Sequence, residues 1–211
     1  MSVNESYFAA DSVVARLHSD PALIVGGIRA LMEQALHPVA LAGVAKYSDF
    51  RDDAWGRLRR TGEYVALVTY GPRSEVDRAA ERVRTIHHRL GLDTQEELLW
   101  VHASMVDAFV DVALRTGAPF TEREIDDYLG QMVIFAELVG IERASVPSTY
   151  EELNRYMVDS EITYFFDIFI GISRNCCWSH NKSNHCRITS KVRYTTKYSN
   201  IRLSINRFCC Y

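Results

Sequence analysis

The chain has 211 residues, of which 47% are hydrophobic, and it carries a formal net charge of −3. This length and composition predict one globular domain with a hydrophobic core of its own. The N-terminus has no basic segment followed by an apolar run, and the longest apolar run, residues 164–172, is too short to cross a bilayer. We therefore expect neither a signal peptide nor a transmembrane segment.

Charge and composition change abruptly near residue 168. Residues 1–167 hold all 27 acidic and 16 of the 24 basic residues, a net charge of −11, whereas residues 168–211 hold eight basic residues and no acidic one, a net charge of +8. All 19 alanines precede this point and all five cysteines follow it. The change predicts a helical domain over residues 1–163 and a basic, Cys/Asn-rich tail over residues 164–211 that is irregular or disordered. The cysteine-free domain is typical of a cytoplasmic protein.

Start and stop signals divide the domain into helices joined by short loops. The pair Asp20-Pro21 predicts the start of one helix, with the aspartate as N-cap, and His37-Pro38 predicts its end or a kink. Inside this helix the pair Gly26-Gly27 costs roughly 1 kcal/mol for each glycine. Such a pair favours a close approach by another backbone or by a flat ligand.

The next helix, which Asp52 or Asp53 is expected to cap, has two distinct faces. Its predicted core side carries Trp55, Leu58, Gly62, Val65 and Thr69. A second face, spaced i, i+3, i+4 and i+7, carries Arg57, Arg60, Thr61 and Tyr64. This second face is either a solvated surface or a clamp for an anion, because guanidinium groups bind carboxylates and phosphates through paired hydrogen bonds.

The following helix has both ends marked, by Ser74 as the predicted N-cap and by Gly91 as the predicted left-handed residue at its end. Its buried stripe is predicted to hold Val76, Ala80, Val83, His87 and Leu90. His88 lies about 100° further round the helix. We therefore expect His87 in the interior, as a hydrogen-bonded core residue or as a ligand, and His88 near water.

Three capping boxes predict the remaining helix starts, at Thr94 with Glu97, Thr121 with Glu124, and Ser148 with Glu151. The first of these helices places His102 on an apolar stripe. No strand pattern competes before residue 160. The sequence thus predicts an all-α fold, a single orthogonal domain of about six helices.

Several kinds of site lack support in the sequence. It contains no Gly-rich phosphate loop, no CxxC pair and no nucleophile elbow. A cluster in the tail, Cys176, Cys177, His180, His185 and Cys186, has a spacing that fits no standard zinc site. The cations of the tail are too widely spread to indicate a specific nucleic-acid partner.

The histidines and arginines of the helical domain suggest a haem pocket. His87 and His102 lie on apolar stripes, His37 lies at a helix break, and the Arg57 face belongs to an adjacent helix. A haem pocket needs an imidazole for the iron, apolar side chains against the macrocycle and cations for the propionates. A buried histidine in the core remains the alternative for each of the three.

Several segments together resemble the rubber-oxygenase, or ER-bound oxygenase, catalytic-domain family over roughly residues 20–160. They are QALHPVALAGVAKYSDF (34–50), DAWGRLRRTGEYV (53–65), VRTIHHRLG (83–91), ELLWVHASMVDAFV (97–110) and VPSTYEELNRYM (146–157). The resemblance implies an all-α fold, haem b as cofactor, and cleavage of carbon–carbon double bonds in isoprenoid-like, apolar substrates by dioxygen.

The resemblance also assigns roles to individual residues. His87 matches the proximal haem ligand, and Arg57 and Thr61 match an arginine and a threonine near the haem. Arg60 stands where latex clearing protein, a member of the family, has a lysine that can occupy the distal side. Because arginine stays protonated, Arg60 would act there through its charge alone. His37 and His102 fall in recurring segments and are either pocket-lining or core residues.

The tail departs from the family pattern near residue 163, as a shifted reading frame would explain. The chain is then either an active oxygenase or an inactive truncated remnant. A further alternative is a non-catalytic helical protein that binds an apolar ligand without haem, since one fold can serve both functions.

Overall fold

The structure is a computed structural model, which describes residues 5–37 and 54–160. These residues form seven α-helices and a short 3₁₀ turn, Arg143–Ser145. The helices are α1 (Val13–His18), α2 (Leu23–Gln34), α3 (Ala54–Tyr70), α4 (Arg73–Leu90), α5 (Gln95–Arg115), α6 (Glu122–Val139) and α7 (Tyr150–Asp159). The described ranges contain no strand beyond one isolated bridge between Ser6 and Pro72, which confirms the all-α prediction.

The fold is built around α5. Every residue from 102 to 110 in this helix is buried, so α5 is enclosed on all sides rather than along one stripe. Helices α2, α6 and α7 pack against it, α1 packs on α3 and α6, and α4 contacts α3 and α6. The core has its largest fully buried side chains on α5 and α6, among them Trp100, Tyr128, Leu129 and Met132.

Helix α2 lies closely against α5 at Gly26. A Cβ atom built on Gly26 would lie 3.0 Å from Cδ1 of Phe109 and 3.4 Å from the carbonyl oxygen of Ala108. A side chain at this position would therefore hold the two backbones apart. The close backbone approach predicted from the glycine pair is confirmed at Gly26.

A partly buried ion-pair cluster joins the same two helices one turn further along. Nη2 of Arg29 lies 2.9 Å from Oε1 of Glu33 and 2.9 Å from Oδ2 of Asp107, and its Nη1 contacts Asp111. Burial by itself would lower the pKa of Arg29, but the three carboxylates outweigh it and raise that pKa. Because Glu33 and Asp107 are buried, removal of Arg29 would leave charges without their cation in the interior.

Most predicted helix ends agree with the structure. Gly91 ends α4 with φ of 66°, and Thr94 caps α5 by accepting a hydrogen bond from the N–H of Glu97. Thr121 and Glu124 form the complete capping box at the start of α6. The expected cap at Asp52 or Asp53 lies outside the described residues.

The predicted N-cap at Ser74 is wrong, because α4 begins at Arg73 with Pro72 in the cap position. The N-terminal segment sets this earlier start: the N–H of Arg73 donates to the carbonyl of Glu5, and its side chain donates to the carbonyl of Ser6. Contacts with a distant part of the chain, at Glu5 and Ser6, therefore decide where α4 begins in place of the local cap at Ser74.

Two other helix starts are displaced along the chain. Thr149 rather than Ser148 caps α7, because both the N–H and the hydroxyl of Ser148 donate to the carboxylate of Glu152. Helix α2 begins at Leu23, and Asp20 caps only the preceding turn by accepting a hydrogen bond from the N–H of Ala22.

The predicted boundary at residue 163, the tail and its cysteine–histidine cluster lie outside the described residues. In the described part of the chain, no helix combines the length and apolarity that a bilayer span requires.

The close approach at Gly26 makes a testable prediction. Gly26→Ala should lower the free energy of unfolding by about 1–3 kcal/mol, because the methyl group must displace Phe109 or the α5 backbone. Gly130→Ala is the matched control, since a Cβ at this helical glycine meets no atom within 4 Å. The control should stabilise the protein by up to about 1 kcal/mol. Urea unfolding followed by circular dichroism measures both, and equal effects would contradict the close packing.

Candidate functional site

His87 is half-buried in the last turn of α4, on the face that buries Val76 and Ala80. Its Nδ1 atom is buried and has no hydrogen-bond partner among the described residues. Burial lowers the pKa of His87, against a smaller opposing effect of Asp93. At neutral pH the ring is therefore a neutral imidazole whose Nδ1 finds no partner in the described part of the chain.

His88 differs from His87 as the sequence predicts. Its side chain is 82% exposed, and its Nδ1 lies 2.7 Å from Oδ2 of Asp93. Two adjacent histidines thus occupy different environments because α4 turns one toward the domain and the other toward water.

Arg57 lies on α3 and is partly buried. Burial lowers the pKa of its guanidinium, and the charge of Arg60 lowers it further. No carboxylate within the described ranges pairs with Arg57, whereas the exposed Arg59 pairs with Glu63 at 2.5 Å. A partly desolvated cation without an anion is suited to bind one.

Thr61 and Tyr64 continue the face of α3 that carries Arg57. The hydroxyl of Thr61 donates to the carbonyl oxygen of Arg57 at 3.0 Å. The hydroxyl oxygen of Tyr64 is buried and lacks a partner in the described part of the protein. Burial raises the pKa of Tyr64 to about 12, although the charge of Arg84 acts in the opposite direction.

Tyr64 connects this face to the helix of His87. Its ring packs edge to face against Phe135, with centroids 5.7 Å apart, and Arg84 lies near enough to influence its pKa. Arg84 precedes His87 by three residues on α4, and its guanidinium donates to the carbonyl of Leu138. Tyr64 shares the predicted Arg57 face but was not predicted as a site residue, and its i+3 spacing from Thr61 was the signal that linked it to that face.

His102 and His37 are both buried. Burial lowers the pKa of His102 to about 4, and its ring lies 6.4 Å from that of Phe135. The ring of His37 lies 6.5 Å from that of Trp100. Tyr64 and His102 thus both lie against the ring of Phe135, whereas His37 lies beside Trp100. No described hydrogen bond or ring contact joins His87 to Arg57 or Thr61.

A cavity of about 460 Å³ lies between α2, α3 and α5. Its lining includes Leu23, Ile24, Gly27, Ala30, Gln34, Trp55, Leu58, Thr61, Gly62, Val65, Ala66, Tyr70, Met105 and Phe109, with His18, Asp20 and Arg59. Of the predicted site residues, Thr61 lines this cavity, whereas its described lining does not contain Arg57, Arg60, His37, His87 or His102. The prediction of a core face on α3 is only partly correct. Val65 and Thr69 are buried, but Trp55, Leu58 and Gly62 line the cavity, as does Val65.

His18 forms a buried hydrogen-bond network that the sequence analysis did not identify. The hydroxyl of Thr69 donates to the carbonyl of Val65 at 2.7 Å. Since that hydroxyl has a single proton, Nδ1 of His18, 2.8 Å away, must donate to it. Nε2 of His18 then accepts from the hydroxyl of Tyr128 at 3.0 Å. This arrangement requires the neutral ring, and burial lowers the pKa of His18 to about 4.

Metal ligands are few in the described ranges, which contain no group of three or more His, Cys, Asp or Glu side chains able to hold a metal ion. A haem iron is held by its porphyrin and needs as few as one protein ligand. A single imidazole such as His87 therefore fits a haem but not an isolated metal ion.

Comparison with known protein families matches residues 15–195 to the family described as ER-bound oxygenase mpaB/B'/Rubber oxygenase, catalytic domain. The chain belongs to this family. It is thus an oxygenase-type catalytic domain, and the resemblance seen in the sequence is confirmed. Searches of curated proteins and of solved structures found no match.

The family match covers more of the chain than the resemblance did. It begins before residue 20 and continues beyond residue 160, across the boundary expected at residue 163. That boundary remains a prediction.

The buried histidines make stability depend on pH. Burial lowers the pKa values of His18 and His102 from the usual 6.5 to about 4, so the unfolded chain binds more protons between these values. Their contribution is complete above about pH 6.5 and is lost as the pH falls toward 4. We expect the free energy of unfolding to drop by a few kcal/mol over this window.

Urea unfolding between about pH 7 and about pH 4 measures this loss. The pKa of Glu124 is lowered mainly by the hydrogen bond from the N–H of Thr121, and that of Glu152 mainly by the hydrogen bonds from Ser148, so both carboxylates act only below about pH 4.5. A level free energy of unfolding across the window would contradict the assignment.

Proposed function

We propose that the protein is a haem b-dependent oxygenase that oxidises or cleaves an apolar, unsaturated, isoprenoid-like substrate with dioxygen. The observation that carries this proposal is the state of His87, a neutral, half-buried imidazole whose Nδ1 is buried and unsatisfied. Leaving a buried polar atom unpaired costs about 1–3 kcal/mol, which a ligand bonded to Nδ1 would relieve. Membership of an oxygenase family supports a cofactor that activates dioxygen as this ligand.

Arg57 would hold a haem propionate. Its guanidinium is partly desolvated and has no carboxylate partner in the described part of the chain. A propionate carboxylate could therefore form an ion pair with it. Thr61, one turn along α3, bonds to the carbonyl of Arg57 and fixes this part of the helix surface. The two residues would therefore define the position of the macrocycle edge.

A bound haem would supply the iron at which dioxygen is activated. Cleavage of a carbon–carbon double bond by dioxygen places one oxygen atom on each new carbonyl group, so the reaction balances without an external reductant. Arg60 cannot ligate iron because it stays protonated. Its role would be to place positive charge where oxygen gains electron density.

A binding protein without a cofactor is the second candidate. The cavity between α2, α3 and α5 favours it, because this space is apolar and its described lining does not include His87. The third alternative, an inactive remnant, depends on the tail, which lies outside the described residues.

His87→Ala and His88→Ala form a matched pair that tests the proposal. If His87 binds the iron, its replacement should abolish or shift the haem Soret absorption band of the purified protein, because the axial ligand is lost. His88→Ala should leave the band unchanged, since that ring is exposed and bonded to Asp93. A Soret band of equal position and intensity in both variants would reject His87 as the ligand, and a colourless wild-type protein that also fails to take up added haem would favour the binding protein.

Arg57→Ala should weaken haem retention without changing the position of the Soret band, because the propionate contact is lost while the iron ligand remains. We expect haem transfer to apomyoglobin to be faster by about tenfold, the effect of losing one charge-assisted hydrogen bond of about 1.4 kcal/mol. Arg59→Ala is the control, because Arg59 is exposed and paired with Glu63. Equal transfer rates in the two variants would show that Arg57 does not bind a haem propionate.

A further inference from the structure

We propose that the protein forms a weak homodimer with twofold symmetry through an apolar patch on α2 and the first turn of α3. The side chains of this apolar patch are 38–72% exposed, and they are Ile24, Val25, Ile28 and Met32 on α2 and Trp55 on α3. The proposal goes beyond the proposed function, because it concerns association of the chain and requires no cofactor.

Helix α2 reverses the usual polarity of a surface helix, which directs its charged side chains to water. Its polar side chains are engaged on the inner side. Arg29 and Glu33 belong to the ion-pair cluster with Asp107 of α5, and Gln34 donates to the carbonyl of Val101. The exposed residues of α2 are all apolar, namely Ile24, Val25, Ile28 and Met32. Water is therefore an unfavourable neighbour for this face.

The four exposed residues of α2 form one stripe along the helix. At 3.6 residues per turn, positions 24, 25, 28 and 32 fall within an arc of about 100°. No other helix in the described ranges carries more than two exposed large apolar side chains. The stripe is thus a local concentration, unlike the single apolar residues that are normal on a protein surface.

Trp55 extends this stripe from α2 onto α3. It is 72% exposed and lies in the first turn of α3, three residues before Leu58. Leu58 packs against α2, since a Cβ built on Gly27 would lie 3.1 Å from Cδ1 of Leu58. Trp55 and Ile24 also line the same cavity. The two helices therefore present one continuous apolar patch, and a partner subunit on it would cover this edge of the cavity.

The lack of charge in the apolar patch favours a second copy of the chain as the partner. A twofold axis sets a surface against itself, so a charged residue near the axis would meet its own charge. None of the five side chains in the patch is charged, and Arg29 and Glu33 of α2 are paired with each other. A charged partner such as a nucleic acid would find no complementary group on this patch.

The size of the apolar patch predicts a weak dimer. Five large side chains with these exposures form a patch of roughly 300–600 Å², the upper end of what a monomer exposes. Two such patches placed face to face would bury on the order of 1,000 Å², which is the lower limit for a specific interface. We therefore expect reversible association in the micromolar range.

An antiparallel arrangement of the two α2 helices suits the stripe. A twofold axis near Ile28, the middle of the stripe, would bring opposite ends of the two helix dipoles together, which is favourable. Val25 would then lie near Met32 of the partner subunit, because these residues are three and four positions from Ile28 on opposite sides.

Sedimentation-velocity centrifugation of the full chain tests the proposal. The wild type should change from monomer to dimer between about 1 and about 100 μM, as expected for a weak complex. A thiol reductant in the buffer prevents disulfides between the five cysteines of the chain. A protein that stays monomeric up to about 100 μM would overturn the dimer.

Val25→Glu and Val158→Glu form a matched pair, because the two valines are 60% and 56% exposed and only Val25 belongs to the apolar patch. Val25→Glu should weaken dimerisation by about tenfold or more, since each dimer would bury two carboxylates against apolar side chains. Val158→Glu on α7 should dimerise as the wild type does, and circular dichroism checks that both variants are folded. Equal dimerisation of the two variants would overturn the patch as the interface.

A mixture of Val25→Glu and Met32→Lys tests the antiparallel arrangement. Each variant alone should associate about tenfold more weakly than the wild type. The mixture should associate more strongly than either variant, because the glutamate of one copy would meet the lysine of the other. A mixture that associates no better than the separate variants would overturn this arrangement.

Salt separates the apolar patch from a dimer held by charge. Residues 1–167 carry a net charge of −11 and residues 168–211 one of +8, so the two parts of different copies would attract each other. Such a dimer would dissociate in about 1 M NaCl, which screens charges beyond about 3 Å. The dimer proposed here should persist in this salt, and its dissociation would overturn the apolar interface. Because no step requires haem, these results are independent of the His87 variants.

Discussion

The close approach of α2 to α5 at Gly26 is the constraint on which the rest of the structure depends. The absence of a side chain there lets two backbones meet, and the partly buried Arg29 cluster fixes the same pair of helices one turn away. With α2 in this position, α3 encloses a cavity together with α2 and α5 instead of packing into a continuous core. Packing at one glycine thus determines where the cavity lies.

The two faces of α3 differ in their side chains. One face lines the apolar cavity. The other carries the partly desolvated Arg57 and the partly buried Tyr64, whose ring packs against Phe135 of α6. Thr61 belongs to both, because it lines the cavity and bonds to the carbonyl of Arg57.

Local signals in the sequence predicted the helices, the ends at Gly91 and Thr121, and the different environments of His87 and His88. Features that depend on distant contacts were missed. The start of α4 is set by Glu5 and Ser6, and the partners of His18 lie 51 and 110 residues away along the chain. The cavity likewise requires three helices, so Trp55 and Gly62 could only be read as core positions. Periodicity identifies which residues avoid water, but it does not distinguish a core from a cavity wall.

The central proposal is that His87 would bind the iron of a haem. Resonance Raman spectroscopy of the haem-loaded, dithionite-reduced protein tests it most directly. Because Arg60 stays protonated and cannot supply a second ligand, the ferrous haem should be five-coordinate. We predict an iron–histidine stretching band that shifts when histidine is labelled with nitrogen-15 and that is lost in His87→Ala. A haem-loaded protein without this band, or with a band that survives the His87 substitution, would contradict the account.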